Sequence, residues 1–85
     1  MNIYKADVTI LPKDGVLDIQ GKAVEKTLKA NGFDELRDVR VGKFIRLHLE
    51  AADEDDAAAK VRAISEDLLV NDLVESYTFT LEHRQ

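Results

Sequence analysis

Residues 3–11 alternate: Tyr4, Ala6, Val8 and Ile10 lie on one side, Lys5, Asp7 and Thr9 on the other. A period of two puts the apolar set on one face of an extended chain, so the segment reads as a strand with one buried face. Such a strand needs neighbours for its backbone groups and a second layer for its apolar side chains. The rest of the chain offers both. Pro12, Lys13, Asp14 and Gly15 form a turn-rich loop after the strand.

A helix signal follows. Asp18 is placed to cap it, because a carboxylate accepts from the free N–H groups of a first turn. Ala23, Val24, Thr27 and Leu28 share one helical face, and Glu25 and Lys29 stand in the favourable i,i+4 order. Asn31–Gly32 is a stop signal. Residues 38–50 then read as extended: Val39 and Val41 alternate with charge, and Ile45, Leu47 and Leu49 alternate with Arg46, His48 and Glu50. Gly42–Lys43 interrupts this pattern. It fits a two-residue hairpin turn and, equally, a glycine bulge in one long bent strand.

The second helix is expected from Asp53 to Asn71, with Asp53 as cap and Glu54, Asp55 and Asp56 facing the positive end of the helix dipole. Its buried stripe is Ala57, Val61, Ile64, Leu68 and Leu69. Leu73, Tyr77, Phe79 and Leu81 alternate with Ser76, Thr78 and Thr80 in a last strand, and His83–Gln85 reads as a frayed end. The order β-α-β-(β)-α-β predicts an α+β fold, an antiparallel sheet with two helices on one face, ferredoxin-like, as one domain over residues 1–85.

An 85-residue chain removes only about 60–65% of its unfolded surface from water, which favours association with a second copy. The net charge of −5 argues against nucleic acid as a partner, since phosphate contacts need surplus Lys and Arg. Cysteine is absent, which excludes disulfides and thiolate chemistry. No apolar run approaches the length of a membrane span, and the N-terminal residues lack the apolar core of a signal peptide, so the expected compartment is the cytoplasm.

Catalytic candidates reduce to structural ones. The Asp53–Asp56 run reads as helix capping, lacking the spaced oxygen ligands of a calcium loop. His48 shares its strand face with Arg46 and Glu50, a solvent or subunit face rather than a general-base setting, and His83 pairs with it at no metal-ligand spacing. Ser65 and Ser76 have no neighbouring base, and Gly42–Lys43 lacks the rest of a phosphate-binding loop. Tyr4, Phe33, Phe44, Tyr77 and Phe79 are mostly explained as core and do not form the exposed aromatic-plus-basic pattern of an RNA-recognition sheet.

Two features remain. In Leu17–Asp18–Ile19–Gln20–Gly21, a glycine occupies a helix's first turn, where it costs about 1 kcal/mol against alanine; close approach of another backbone explains it. In Val39–Arg40–Val41–Gly42–Lys43, two cations and a glycine sit at the irregular point of the extended segment. Val39 and Val41 are spaced to face the core, so Arg40 is expected to face outward, where its planar fork suits a partner's carboxylates or phosphates. Asp18, Gln20, Gly21, Arg40, Gly42 and Lys43 are therefore the partner-interface candidates, with no catalytic and no metal-binding residue assigned.

These two features, at this spacing, resemble the PurS family, whose members show L-D-P-Q-G before the first helix and V-R-x-G-K in the middle strand region. Ile19 stands where that family has proline, the first helical position if Asp18 is the cap. The resemblance extends over length, acidic balance, element order and the closing Leu69–Val70–Asn71. It implies a small subunit of phosphoribosylformylglycinamidine (FGAM) synthase in purine biosynthesis, inactive alone; the small core and the exposed edge expected of the mid-chain extended segment separately predict a homodimer or tetramer. The resemblance further implies assembly with the large synthetase subunit PurL and the glutaminase subunit PurQ, with ATP and Mg used by the complex and no cofactor bound by this chain alone. A small-molecule sensing module of the ACT type is the alternative, since Asp14–Gly15–Val16–Leu17 resembles that family's turn. A ferredoxin-like RNA-binding domain is a weaker one, given the charge.

Overall fold

The structure is a computed structural model and describes residues 2–84. β1 (Asn2–Pro12) is the central strand of a three-stranded antiparallel sheet, between β2 (Lys43–Ala51) and β3 (Glu75–His83). The register is the one the alternation demands. Val8 lies opposite Ile45 and Phe79, and Ala6 opposite Leu47 and Leu81, so each of these rungs is apolar across all three strands. A slip of one residue would turn the whole set to the other face. That other face is polar: Asp7 lies opposite Arg46 and Thr80, and Arg46 Nε donates to Asp7 Oδ1 at 2.7 Å. This bond, first among several causes, holds the Asp7 carboxyl below its ordinary value.

α2 (Glu54–Ile64) covers the apolar face. Asp53 caps it through Asp56 N–H at 2.8 Å, and the Asp56 carboxylate accepts from Ala52 N–H at 2.9 Å, so two free amides are satisfied reciprocally. Val61 meets Ala6, Val8, Ile10 and Val70 in the main cluster; Ala57 joins Tyr4 and Ala51 in a smaller one.

Several expectations are corrected here. The second helix does not run evenly to Asn71. It widens into a π-helical turn over Ser65–Leu69, closed by Val70 N–H donating to Ser65 O at 2.9 Å. The wider turn breaks the 3.6-residue stripe. Leu69 packs against the core, while Leu68 points away and is 80% exposed. Leu73 is not a strand residue: β3 begins at Glu75, and Leu73 lies in the preceding turn, 85% exposed. His83 is not frayed, because β1 is long enough to pair with it. His83 lies opposite Tyr4 with ring centroids 5.0 Å apart, and Arg84 N–H donates to Ile3 O; Gln85 lies outside the described residues. Phe33 and Phe44 are exposed, not core.

The optional extra strand does not form. Residues 35–42 are irregular and β2 starts at Lys43, so Gly42–Lys43 is neither hairpin turn nor bulge. The amide that a ladder would need at Val41 is taken by the Asp18 carboxylate. The helix pair also departs from expectation. α1 (Ile19–Ala30) forms no packing interface with the sheet comparable to that of α2, and Ala23, Val24 and Thr27 stay exposed.

The chain is correspondingly extended. Its radius of gyration is 16.5 Å, where about 12 Å suits a compact domain of this length. Its accessible surface is 6016 Å², roughly 900 Å² above the value for a compact monomer of 9.6 kDa.

The core assignment predicts an asymmetry between two apolar truncations. Ile10→Ala, at a fully buried position, should lower unfolding stability by about 2–5 kcal/mol. Leu68→Ala should stay within about 0.5 kcal/mol. Urea melts at one fixed protein concentration measure both, and comparable losses would contradict the π-turn placement of Leu68.

Candidate functional site

Three loops meet at one end of the sheet: residues 12–18, 38–42 and 71–75. Lys13 joins the first to the third, its N–H donating to Val74 O at 2.8 Å and its ammonium to Asp72 O. Arg40 joins the second to the first. Its Nη2 pairs with Asp14 Oδ1, its Nη1 donates to Pro12 O at 3.3 Å, and its Nε and Nη2 hold Asp38 at 3.2 and 2.8 Å. Asp38 backbone is left-handed, with φ of 54°, which aspartate tolerates better than most residues. The hydrogen bonds that Arg40 donates to Asp38 and then Asp14 raise the guanidinium above its ordinary value, and the bonds to Asp38 lower that carboxyl.

Asp18 lies beneath this bracket. Oδ1 accepts from Gly21 N–H at 2.9 Å and caps α1; Oδ2 accepts from Val41 N–H at 2.8 Å. These two backbone donors, Gly21 first, hold the Asp18 carboxyl below its ordinary value. Gly21 is the glycine the sequence marked for a close approach, and the approaching backbone is Val39. A Cβ at Gly21 would lie 2.5 Å from Val39 O and closer still to the Asp18 carboxylate. A Cβ at Gly42 would strike Ile10 O and lie 2.7 Å from Leu11 Cδ2.

The two motifs therefore become one site. Asp18, Gly21, Arg40 and Gly42 come together, beside a groove of about 650 Å³ bordered by Asp14, Leu17, Asp18, Lys22, Asp38 and Arg40. Gln20 lies on the exposed rim, and Lys43 stands apart at the start of β2, 3.8 Å from Glu75. Arg40 does not face freely outward while Val39 and Val41 turn in. All three are half-buried, and the carboxylates its fork finds are the chain's own.

Sequence reasoning missed Asp14 and Asp38 as its partners. Asp38 was accessible, because residues two apart in an extended segment lie on one side. Asp14 comes from another loop and left no signal. Leu17 and Ile19, 74% and 75% exposed, add an apolar rim. Among the described residues no three His, Asp or Glu side chains gather as a metal site.

The groups gathered at this end brace backbone segments against one another and leave apolar side chains facing out, as an assembly surface does. The family model described as PurS, phosphoribosylformylglycinamidine (FGAM) synthase, matches residues 5–83. The PurS subunit of phosphoribosylformylglycinamidine synthase from Bacillus subtilis is 38% identical over 80 residues, 94% of each chain. The solved structure of Thermus thermophilus PurS superposes with a TM-score of 0.85 at 36% identity, over 98% of this chain and 99% of that one. A chain in the structure of PurLQS from Thermotoga maritima gives a TM-score of 0.87 at 29% identity, over 96% and 100%.

Two outcomes test the geometry. Gly21→Ala should lower the thermal midpoint, because the clash with Val39 O outweighs the gain of about 1 kcal/mol in helix propensity; a raised midpoint would contradict the contact. The second concerns pH. A carboxyl whose pKa is depressed in the folded state stabilises above its unfolded value, and that contribution is lost as pH falls through the folded value. NMR titration of the Gly21 and Val41 amide shifts should therefore show a midpoint below the ordinary 3.8, absent in Asp18→Asn. A midpoint at or above 3.8 would contradict the two bonds.

Proposed function

This chain belongs to the PurS family, and from that premise we propose that it is the small subunit of FGAM synthase. The observation that carries the reading is the extent of the likeness: the family match spans residues 5–83, and the likeness to a chain of a solved PurLQS assembly extends over all of that chain. The proposed partners are a PurL-type synthetase subunit and a PurQ-type glutaminase subunit. In the assembled enzyme the glutaminase releases ammonia from glutamine, and the synthetase uses it on an ATP-activated amide of formylglycinamide ribonucleotide. ATP and Mg serve the complex. This chain supplies no chemical step; it joins the two subunits and supports ammonia transfer between them. It acts as one unit over residues 1–85, in the cytoplasm, and none of its described helices is long and apolar enough to cross a membrane.

The physical support is a chain that is incomplete alone. Its surplus surface of about 900 Å² is the size of one side of a standard protein interface. Apolar residues are available to fill it. Ala23, Val24, Thr27 and Leu28 line a shallow depression on α1, and Ile45, Leu47, Leu49, Phe79 and Leu81 are only half-buried on the sheet. A second copy of the chain suits both surfaces, giving a dimer or a dimer of dimers by two-fold symmetry. The loop end, with Gln20 and Arg40, and Lys43 apart from it at the start of β2, are the candidate contacts for the larger subunits.

Light scattering at micromolar concentration should give at least a dimer; a monomer would overturn that part of the reading. Added to the synthetase and glutaminase subunits, the chain should raise glutamine-dependent product formation. Equal turnover with and without it would overturn the subunit role.

A further inference from the structure

α1 leaves the body of the protein as an arm. No strand forms a packing interface with it of the kind that α2 has; its N-terminal end is tied to the segment leading into β2, and farther along the helix the Glu25 carboxylate lies beside the Val39 amide of that same segment. There a single carboxylate divides its two oxygens between an amide of the helix, Gly21, and an amide of the segment leading into β2, Val41. Capping α1 uses only one of these oxygens, and Ser, Thr or Asn would serve that purpose equally. The second oxygen does nothing for the helix. Both donors are backbone amides, so the bonds fix the course of the chain rather than the pose of flexible side chains. Gly21, lacking Cβ, lets Val39 O close on the same point.

We propose that Asp18 is a positioning residue. By bonding Gly21 N–H and Val41 N–H together it sets the angle at which α1 leaves the sheet, and hence where the apolar face of α1 meets a second copy of the chain. The angle rests on this geometry alone; the consequence for association rests on the homo-oligomer reading above. Leverage makes the angle matter. The helix has 12 residues and is about 18 Å long, so a rotation of roughly 20° at its base moves its far end by about 6 Å. That is more than the width of a side chain, enough to take Val24 and Leu28 out of register with a partner surface.

Asparagine separates the two roles. It offers one acceptor and an NH₂ donor, so it can cap α1 but cannot also accept from Val41. The chain has no cysteine, so a Lys26→Cys, Thr80→Cys pair can carry spin labels at two exposed positions. Diluted into unlabelled protein, the pair reports the distance within one chain. The parent should give one narrow distribution. Asp18→Asn should broaden or shift it while helix content by circular dichroism is retained, and should weaken self-association by about tenfold, the effect of losing one charge-assisted bond. Val41→Pro removes the donor and leaves the cap, and should broaden the distribution in the same way, which keeps the test decisive if Asp18→Asn folds poorly. Distributions unchanged from the parent in both variants would overturn the inference. A monomeric parent would overturn the homo-oligomer reading instead, while the distance distributions still decide the role of Asp18.

Discussion

The central position of β1 is the constraint from which the rest follows. Its backbone pairs on both edges, and Ala6, Val8 and Ile10 are fully buried against α2 and the flanking strands. A strand held on three sides can tolerate no slip, because the side-chain period of two would bring Lys5, Asp7 and Thr9 into the core. The polar face agrees with the same register: Asp7 meets Arg46 across one edge, and Lys5 lies 3.9 Å from Glu82 across the other. Exposed pairs of this kind add little stability, but opposite charges on facing positions disfavour any other alignment.

Around that strand the fold separates into a stable half and a presented half. α2 closes on the sheet with small residues, Ala57 and Val61, which bring the helix close. α1 carries an apolar face that its own chain leaves uncovered. A chain this short has little spare core, and burying that face against a second copy adds apolar area without adding length. On the reading proposed above, association and folding are coupled through that uncovered face.

The loop end shows how close packing and charge cooperate. Gly21 and Gly42 admit the backbones of Val39 and Ile10, and Asp18 and Arg40 then tie the approaching segments. Each glycine replaces helix or strand propensity with proximity, and each charged group has its bonds satisfied within the chain. Lys13 completes the bracket from the third loop.

Much of this was legible in the residues. Period-two alternation placed all three strands, Asp18 and Asp53 announced both helix starts, Gly32 with φ of 100° marked a helix end, and Gly21 signalled a close contact. These are local properties, set by backbone geometry and by side chains a few positions apart. What only the tertiary structure decided depends on groups distant in sequence. Val41 reads as strand by its pattern, yet its amide is taken by Asp18, so β2 starts later. Leu68 fits the helical stripe, yet the π turn over Ser65–Leu69 turns it outward. Arg40 reads as a free cation, yet Asp14 arrives from another loop to claim it. The residues of α1 share one helical face expected to lie on the sheet, yet its own sheet forms no such interface with them. Periodicity tells which face of an element is apolar; which surface covers that face is settled by long-range competition for amides, carboxylates and space.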